Sequence, residues 1–340
     1  MDGADVARKR TSRASPCGPS RRQHWQQCSS VCGLLAKRCG ARLRVNSQAR
    51  LWRPRCLCRW ESDSSAECRV NSYLSKSSAP GREFDPGLDI RFLKETLEFD
   101  YGVGVFGPKP EYRLLDAIRG SLRDPNCTGP DPVYAIAMDV GRLEDLQELR
   151  RRMLLFGVVI YACGRLGDGP VRSQGHVHAV APHCGWSTPE LFEIWEGRGI
   201  IYGQEKSGDA PGRCIAVEAS PGEQVVMPPG WAHYVANADM NSPLIFGAWC
   251  DRQYAFDYTQ VRAHHGLAWY PLLSDDGEIS WEPNPTYFVS KLECRKTRNY
   301  PELGLSATVP IYEQFRRHPD SVQWVSDPAS LRSLWQQFLP

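Results

Sequence analysis

Short apolar runs separated by turn-forming residues dominate the chain between residues 156 and 249. Six of them are rich in β-branched or aromatic side chains and are separated by Gly, Pro, Asp or Ser: 156–162, 198–203, 214–218, 224–227, 232–236 and 244–249. Runs of this length and composition predict β-strands. The sequences at 206–209 and 274–277 are typical of hairpin turns. Six such strands at this spacing predict an all-β domain, either a closed antiparallel barrel or a double-sheet jelly roll.

Apolar residues at helical spacing occur on both sides of this strand-rich stretch. They predict helices at 110–118, at 142–153 with Leu143, Leu146 and Leu149 on one side, and at 330–338 near the C-terminus. An alternating run at 133–138 predicts one further strand. We expect the two earlier helices to pack against the outside of the barrel, because apolar helical stripes usually mark buried faces.

The charge of the chain changes sign along its length. Residues 1–80 carry 16 Lys and Arg against 5 Asp and Glu, whereas residues 81–340 carry 25 against 34. The basic stretch, 1–81, is expected to be a disordered extension or an organellar transit peptide. The rest divides into a lead-in of helices and a strand at 82–155, a barrel at 156–290, and a C-terminal extension with a terminal helix at 291–340.

The composition indicates in which compartment the protein is located and which classes of partner it binds. The chain has 13 cysteines, but those after residue 80 show no CxxC pairing. Reduced thiols in the cytoplasm are therefore the expectation, with a mitochondrial or other organellar location if 1–80 are a transit peptide. No apolar run approaches the roughly 18 residues of a membrane-spanning helix. The basic extension lacks regularly spaced aromatic residues, so we expect neither a membrane nor a nucleic acid as partner.

Three histidines and one glutamate form the candidate site. His176 and His178 are two residues apart, so on a strand they project to the same face. Glu190 and His233 must come from other strands, and a barrel interior can bring all four together. Imidazole nitrogens with one carboxylate suit a divalent transition metal, and the lack of a cysteine ligand disfavours a closed structural zinc site.

Other ionisable residues fit this site less well. His183, His264 and His265 follow no ligand spacing. Glu193 lies three residues after Glu190, and odd spacing along a strand puts it on the opposite face. We expect Glu193 to be a solvent-facing or rim carboxylate.

Spacing around the four residues matches the motifs of the cupin superfamily. The six residues between Glu190 and Gly197 match the end of the first motif. The second motif is present as Gly222, Pro228, Gly230, His233 and Asn237. More specific features also occur, namely Gly175-His176-Val177-His178, Pro228-Pro229-Gly230-Trp231-Ala232-His233, Asp257-Tyr258 and Asn284-Pro285. With these features the chain resembles the cupin-type, or archaeal-type, glucose-6-phosphate isomerases over about residues 110–290.

The resemblance implies a cupin jelly-roll barrel that forms a homodimer and holds one divalent Fe, Mn, Ni or Zn ion per subunit. It implies a metal-dependent isomerase that interconverts glucose 6-phosphate and fructose 6-phosphate in glycolysis and gluconeogenesis. By motif position, His176, His178, Glu190 and His233 correspond to metal ligands, with Glu190 also the catalytic base. The positions that correspond to substrate-binding residues are Ser173, where the family has Thr, Gly175 and Tyr258.

Three departures from the family bear on the substrate. Residues 182–189 form an insertion, expected as a loop at the barrel mouth. Val158 and Val159 stand where the family offers threonine hydroxyls to phosphate, and Cys250 and Phe256 replace a tyrosine and a histidine. Alternative functions are therefore an isomerase of another sugar phosphate, an Fe(II) dioxygenase with the same ligands, or a non-catalytic sugar-binding cupin.

Overall fold

Residues 84–340 are described by a computed structural model, and the predicted extension at 1–81 lies outside the described residues. Two β-sheets contain all the strands that form sheets of more than two strands in this part of the chain. The larger has six strands, in the spatial order Gln224–Met227, Glu190–Glu196, Leu244–Asp251, Leu154–Tyr161, Tyr134–Met138 and Glu111–Arg113, all antiparallel. The smaller has four strands, Ala232–Asn237, Gly199–Gln204, Cys214–Ala219 and Leu292–Lys296, of which the last pairs parallel.

Alternation along the strands builds a core between the two sheets. Phe192 and Ile194 of the six-stranded sheet share an apolar cluster with Ile201 and Val235 of the four-stranded sheet. Their neighbours Leu191 and Trp195 point the other way and belong to a separate cluster on the outer face of the six-stranded sheet. This period of two is what a sheet buried on both faces requires. The result is the predicted all-β double-sheet barrel.

The remaining strands form short two-stranded pieces. They are Ile90–Leu93 with Glu98–Tyr101, Val105–Phe106 with Gly141–Arg142, Arg165–Leu166 with Gly169–Pro170, Val177–His178 with Phe256–Asp257, Val180–Ala181 with Trp186–Ser187, and Trp269–Leu273 with Ile279–Pro283. The α-helices are Leu115–Ile118, Leu146–Arg151, Thr259–Ala263, Ile311–Arg317 and Arg332–Trp335. The 3-10 helices are Arg119–Ser121, Leu143–Asp145, Pro301–Leu303, Pro319–Val325 and Pro328–Leu331. None of the helices in this part of the chain is long and apolar enough to cross a membrane.

The C-terminal segment, residues 300–338, covers the outer face of the six-stranded sheet. Tyr312 and Phe315 are buried in the same cluster as Phe156 and Trp249. The Trp249 indole donates to the carbonyl oxygen of Ile311 at 3.2 Å. The C-terminal segment therefore shields the apolar outer face of the six-stranded sheet from solvent.

The six predicted strands between residues 156 and 249 are confirmed, with ends displaced by at most two residues. The predicted strand at 133–138 is confirmed as Tyr134–Met138. The predicted barrel bounds of 156–290 are too narrow, because Glu111–Arg113, Tyr134–Met138 and Leu292–Lys296 belong to the same two sheets.

The helix predictions are only partly correct. Residues 111–113 of the first predicted helix form a strand, and only Leu115–Ile118 is helical. The second prediction corresponds to Leu143–Asp145 and Leu146–Arg151. Leu143 is 59% exposed, so it does not belong to a buried stripe. At the C-terminus a 3-10 turn precedes a single helical turn, Arg332–Trp335, and Phe338 is buried.

Candidate metal centre

The four predicted ligands come from three separate parts of the barrel. His176 exchanges two backbone hydrogen bonds with His233, at 3.0 and 2.9 Å, so the two rings begin side by side. His178 lies two residues on, in the strand Val177–His178. Glu190 begins the strand Glu190–Glu196 in the facing sheet. One ligand atom from each side chain lies within 4.8 Å of the others.

A glycine sets the entry of the histidine segment. Gly175 has a φ of +89°, a conformation that side chains disfavour. A Cβ there would also lie 3.3 Å from the side chain of Leu267. Any larger residue would therefore be strained and would have to displace Leu267. Gly175 thus directs the backbone into the paired segment that carries His176 and His178.

Backbone carbonyls determine the tautomers of two of the histidines. The Nδ1 of His178 lies 2.8 Å from the Thr188 carbonyl oxygen, and that of His233 lies 3.0 Å from the Trp231 carbonyl oxygen. A carbonyl can only accept, so both Nδ1 atoms carry protons. In the neutral rings the Nε2 lone pairs then point into the site. This carbonyl contact on the far nitrogen is typical of metal-binding histidines.

The inward-facing atoms need a positive charge among them. His178 Nε2 and His233 Nε2 each lie 3.1 Å from Glu190 Oε2. Two lone pairs and a carboxylate repel one another unless protons or a cation lie between them. The Nε2 of His176 is buried and has no hydrogen-bond partner. The donor set therefore fits a divalent metal ion.

Burial shapes the ionisation of the group. Burial, with the charges of His233 and His178, lowers the pKa of His176 well below its ordinary value, which keeps the ring neutral. For Glu190, burial alone would raise the pKa, but when the His178 and His233 rings are protonated their hydrogen bonds and charges hold it below its ordinary value; a bound cation would take the place of those protons. Neutral imidazoles with an ionised carboxylate are the protonation states in which these residues bind metal.

Apolar and weakly polar side chains surround the cluster. The ring of Phe256 lies 4.2 Å from that of His176, and Phe192 lies 6.0 Å from His233. The Cys250 thiol donates to Glu190 Oε1 at 3.4 Å, and burial raises its pKa well above the ordinary value. Both departures from the family, Cys250 and Phe256, thus contact the candidate ligands directly. They make this side of the site drier than a tyrosine and a histidine would.

A cavity between the sheets is lined by three of the four residues, His176, Glu190 and His233. Its lining includes Ser173 and Tyr258 among the predicted substrate-binding positions, but not Gly175. Val159 lines the cavity, whereas Val158 points into the outer cluster. Of the two valines that stand where the family has threonines, only Val159 therefore faces the cavity.

Several predicted features lie away from the cavity. His183 lies 3.2 Å from Asp251, and the His264 ring stacks on Tyr287 at 4.0 Å. The insertion at 182–189 is not a plain loop, because it contributes to the hairpin of Val180–Ala181 with Trp186–Ser187. Glu193 does face away from Glu190, but its expected exposure was wrong: it is 1% exposed, beneath the C-terminal segment.

Five polar residues of the cavity lining were not identified from the sequence. They are Arg113, Tyr134, Tyr161, Gln174 and Tyr234. Arg113 lies in a segment that the apolar spacing predicts to be a helix outside the barrel, whereas it is an edge strand of the six-stranded sheet. Gln174 lies between Ser173 and Gly175 at the predicted substrate positions, so its place in the chain was the available signal.

Comparison with known proteins gives consistent matches over the same region. A family model described as glucose-6-phosphate isomerase matches residues 121–289. The glucose-6-phosphate isomerase of Thermococcus kodakarensis is 28% identical over 196 residues, which cover 56% of this chain and 95% of that protein. The enzyme of Pyrococcus furiosus is 27% identical over 196 residues, covering 56% and 94%.

Solved structures give weaker matches. Vicilin from hazelnut aligns with a TM-score of 0.26 at 13% identity, over 38% of this chain and 31% of that one. Oxalate decarboxylase from Bacillus subtilis aligns with a TM-score of 0.25 at 14% identity, over 35% and 25%. Likenesses at this level carry no functional argument.

Proposed function

The chain belongs to the cupin-type glucose-6-phosphate isomerase family, and from this premise we propose that it interconverts glucose 6-phosphate and fructose 6-phosphate. One observation carries the proposal. The three histidines and Glu190 all lie within the region matched by the family model and form one cluster, and three of them, His176, Glu190 and His233, line a cavity.

The metal ligands are proposed as His176, His178, Glu190 and His233. A divalent ion held there, one per subunit, would polarise the substrate carbonyl and balance the negative charge of its two oxygens. The candidates are Fe, Mn, Ni and Zn, because mixed imidazole and carboxylate ligands accept each of them. The preference of His178 and His233 for Nδ1 protonation presents Nε2 to the ion without reorganisation.

Glu190 is proposed as the catalytic base. The reaction moves one proton from C2 of glucose 6-phosphate to C1, and moves a second proton between the two oxygens, so no other reactant is consumed. The Glu190 carboxylate would take the carbon-bound proton at C2 and return it at C1, which requires it to be ionised before the substrate reacts. The nearby rings of Phe192 and Phe256 would keep water from exchanging with that proton.

Ser173, Gly175 and Tyr258 are proposed to border the substrate. Ser173 and Tyr258 do so through the cavity, while Gly175 acts through the backbone turn that positions His176. A homodimer and a cytoplasmic location are proposed on the family resemblance. Five of the cysteines, Cys127, Cys163, Cys184, Cys214 and Cys250, are free thiols, as expected in a reducing compartment.

The test is metal-dependent turnover. The full chain is stripped with a chelator, reloaded with one ion at a time under anaerobic conditions, and given fructose 6-phosphate, with glucose 6-phosphate measured by a coupled dehydrogenase. We expect turnover only after reloading, loss of turnover in His178→Ala, and wild-type turnover in the exposed control His318→Ala. Metal binding without turnover would contradict the isomerase. Loss of fructose 6-phosphate only after oxygen is admitted, without formation of glucose 6-phosphate, would indicate a dioxygenase.

A further inference from the structure

One cationic side chain lies in the cavity lining without a role in the metal cluster. Arg113 ends the strand Glu111–Arg113 at the edge of the six-stranded sheet. Glu190 lies on the second strand from the other edge, four strands away. At about 4.8 Å per strand, the two residues are separated by up to roughly 19 Å along the sheet and by less across the cavity. Arg113 and Glu190 therefore stand on different sides of the space available to a substrate.

Register places aromatic hydroxyls beside Arg113. Arg113 is paired with Tyr134, and Tyr134 with Tyr161, so the three side chains share the inner face of the sheet. Tyr258 also lines this part of the cavity. Burial raises the pKa of Tyr134, and phenols are ordinarily protonated at neutral pH, so these hydroxyls can donate hydrogen bonds.

The ion pair that Arg113 makes can be exchanged for a ligand. Its partner is Glu111, two residues earlier on the same strand, at 3.0 Å. The Arg113 and Glu111 side chains are 31% and 65% exposed. Exposed pairs contribute little to stability, and a guanidinium offers five N–H donors, more than its contacts with Glu111 and Tyr134 use.

We propose that Arg113, with the hydroxyls of Tyr134 and Tyr258, binds the phosphate group of the substrate. This proposal rests on the proposed function and adds the residue that selects for a phosphorylated sugar. A phosphate dianion needs a charge that the apolar lining around Val159 does not supply. A guanidinium provides it in a planar, bidentate geometry. An arginine at the sheet edge thus replaces hydroxyls from the strand Leu154–Tyr161.

The experiment compares Arg113→Gln with a matched control, Arg295→Gln. Arg295 also lies at a half-buried position on a strand and pairs with a glutamate two residues earlier, Glu293, at 2.8 Å. Binding of fructose 6-phosphate and of unphosphorylated fructose is measured by calorimetric titration of the metal-loaded full chain, together with KM and kcat. Arg113→Lys keeps the charge and the apolar stem, and serves if the glutamine variant fails to fold.

We expect Arg113→Gln to weaken fructose 6-phosphate binding roughly 10- to 100-fold, the loss of a charge-assisted contact, with a matching rise in KM. Arg113→Lys should lose less, about 3- to 10-fold, because it cannot bind in a bidentate manner. Arg295→Gln should bind as the wild type does, and fructose binding should be the same in all four proteins. Fructose 6-phosphate affinity within about twofold of wild type in a folded Arg113→Gln or Arg113→Lys would overturn the proposal.

The two proposals fail separately. Wild-type turnover with an unchanged KM in Arg113→Gln would leave the isomerase standing and remove Arg113 from the phosphate site. Arg113-dependent binding of fructose 6-phosphate without turnover would keep the phosphate site and remove the isomerase.

Discussion

Glu190 and Glu193 lie three residues apart on one strand and face opposite sides of the six-stranded sheet. Both are nearly inaccessible to solvent, at 8% and 1% exposure. On the inner face the histidines hold the pKa of Glu190 below its ordinary value. On the outer face, burial raises the pKa of Glu193 to about 8, although the backbone N–H of Ile311 and the Trp195 indole both donate to it.

The difference shows that burial alone does not decide the charge of a carboxylate. Positive or metal-binding partners make the charged form favourable for Glu190, whereas two neutral donors do not compensate the desolvation of Glu193. The inner face therefore carries the proposed metal site and base. The outer face uses the same residue type to attach the C-terminal segment to the strand.

The largest expected effect comes from exchanging each glutamate for its neutral isostere. Glu190→Gln should reduce kcat/KM by about 10³-fold or more, because it removes both the base and the anionic ligand. Glu193→Gln should stay within about threefold of wild type, because its amide oxygen still accepts from Ile311. Isomerase activity and bound metal per chain, measured on both purified variants, check this. Equal losses in the two variants would contradict the separation of the faces.

Much of this comparison could be predicted from the sequence. The period of two along a strand correctly put Glu193 on the face opposite Glu190, and the motif spacing identified the four residues that converge. Six strand positions between residues 156 and 249 followed from local composition, although the strand Glu190–Glu196 was not among them. These features depend on residues close together in the chain or on fixed motif spacings.

The features that could not be predicted depend on distant contacts. Glu193 is buried because Ile311, 118 residues further along, lies against it. Arg113 reaches the cavity because its strand pairs with Tyr134–Met138 at the sheet edge, although the apolar spacing of the segment is also compatible with a helix. Such pairings are decided by tertiary packing rather than by local propensity.

A second variant tests whether the two faces are independent, because it truncates a buried side chain on the outer face only. Phe315 is 1% exposed and packs against Trp249 at 5.0 Å between ring centroids. Phe315→Ala should lower the free energy of unfolding by about 3–5 kcal/mol, the usual result of truncating a buried aromatic residue. Urea unfolding measures this loss. The kcat per folded molecule should remain close to wild type, and a matching fall in kcat would mean that the two faces are coupled.

The smallest expected effect concerns the pH dependence of stability. Glu193 has an ordinary pKa of 4.5, which applies to the unfolded chain, and about 8 when folded. Between these values the folded protein retains a proton that the unfolded chain has lost, so raising the pH favours unfolding. The contribution of Glu193 to the free energy of unfolding falls by at most about 1.4 kcal/mol per pH unit. Between pH 4.5 and about 8 it falls by a few kcal/mol in total. Below pH 4.5 the carboxyl is protonated in both states and contributes no slope.

Glu193→Gln removes this slope, because its amide does not titrate. The free energy of unfolding, measured in urea at pH 5, 6, 7 and 8, should therefore rise in the variant relative to wild type as the pH increases. Groups common to both proteins, including Glu190 and the histidines, cancel in the difference. Parallel pH profiles would mean that Glu193 is ionised in the folded protein. Glu190 and Glu193 would then both be ionised, and the two faces of the sheet would differ only in the groups that contact each carboxylate.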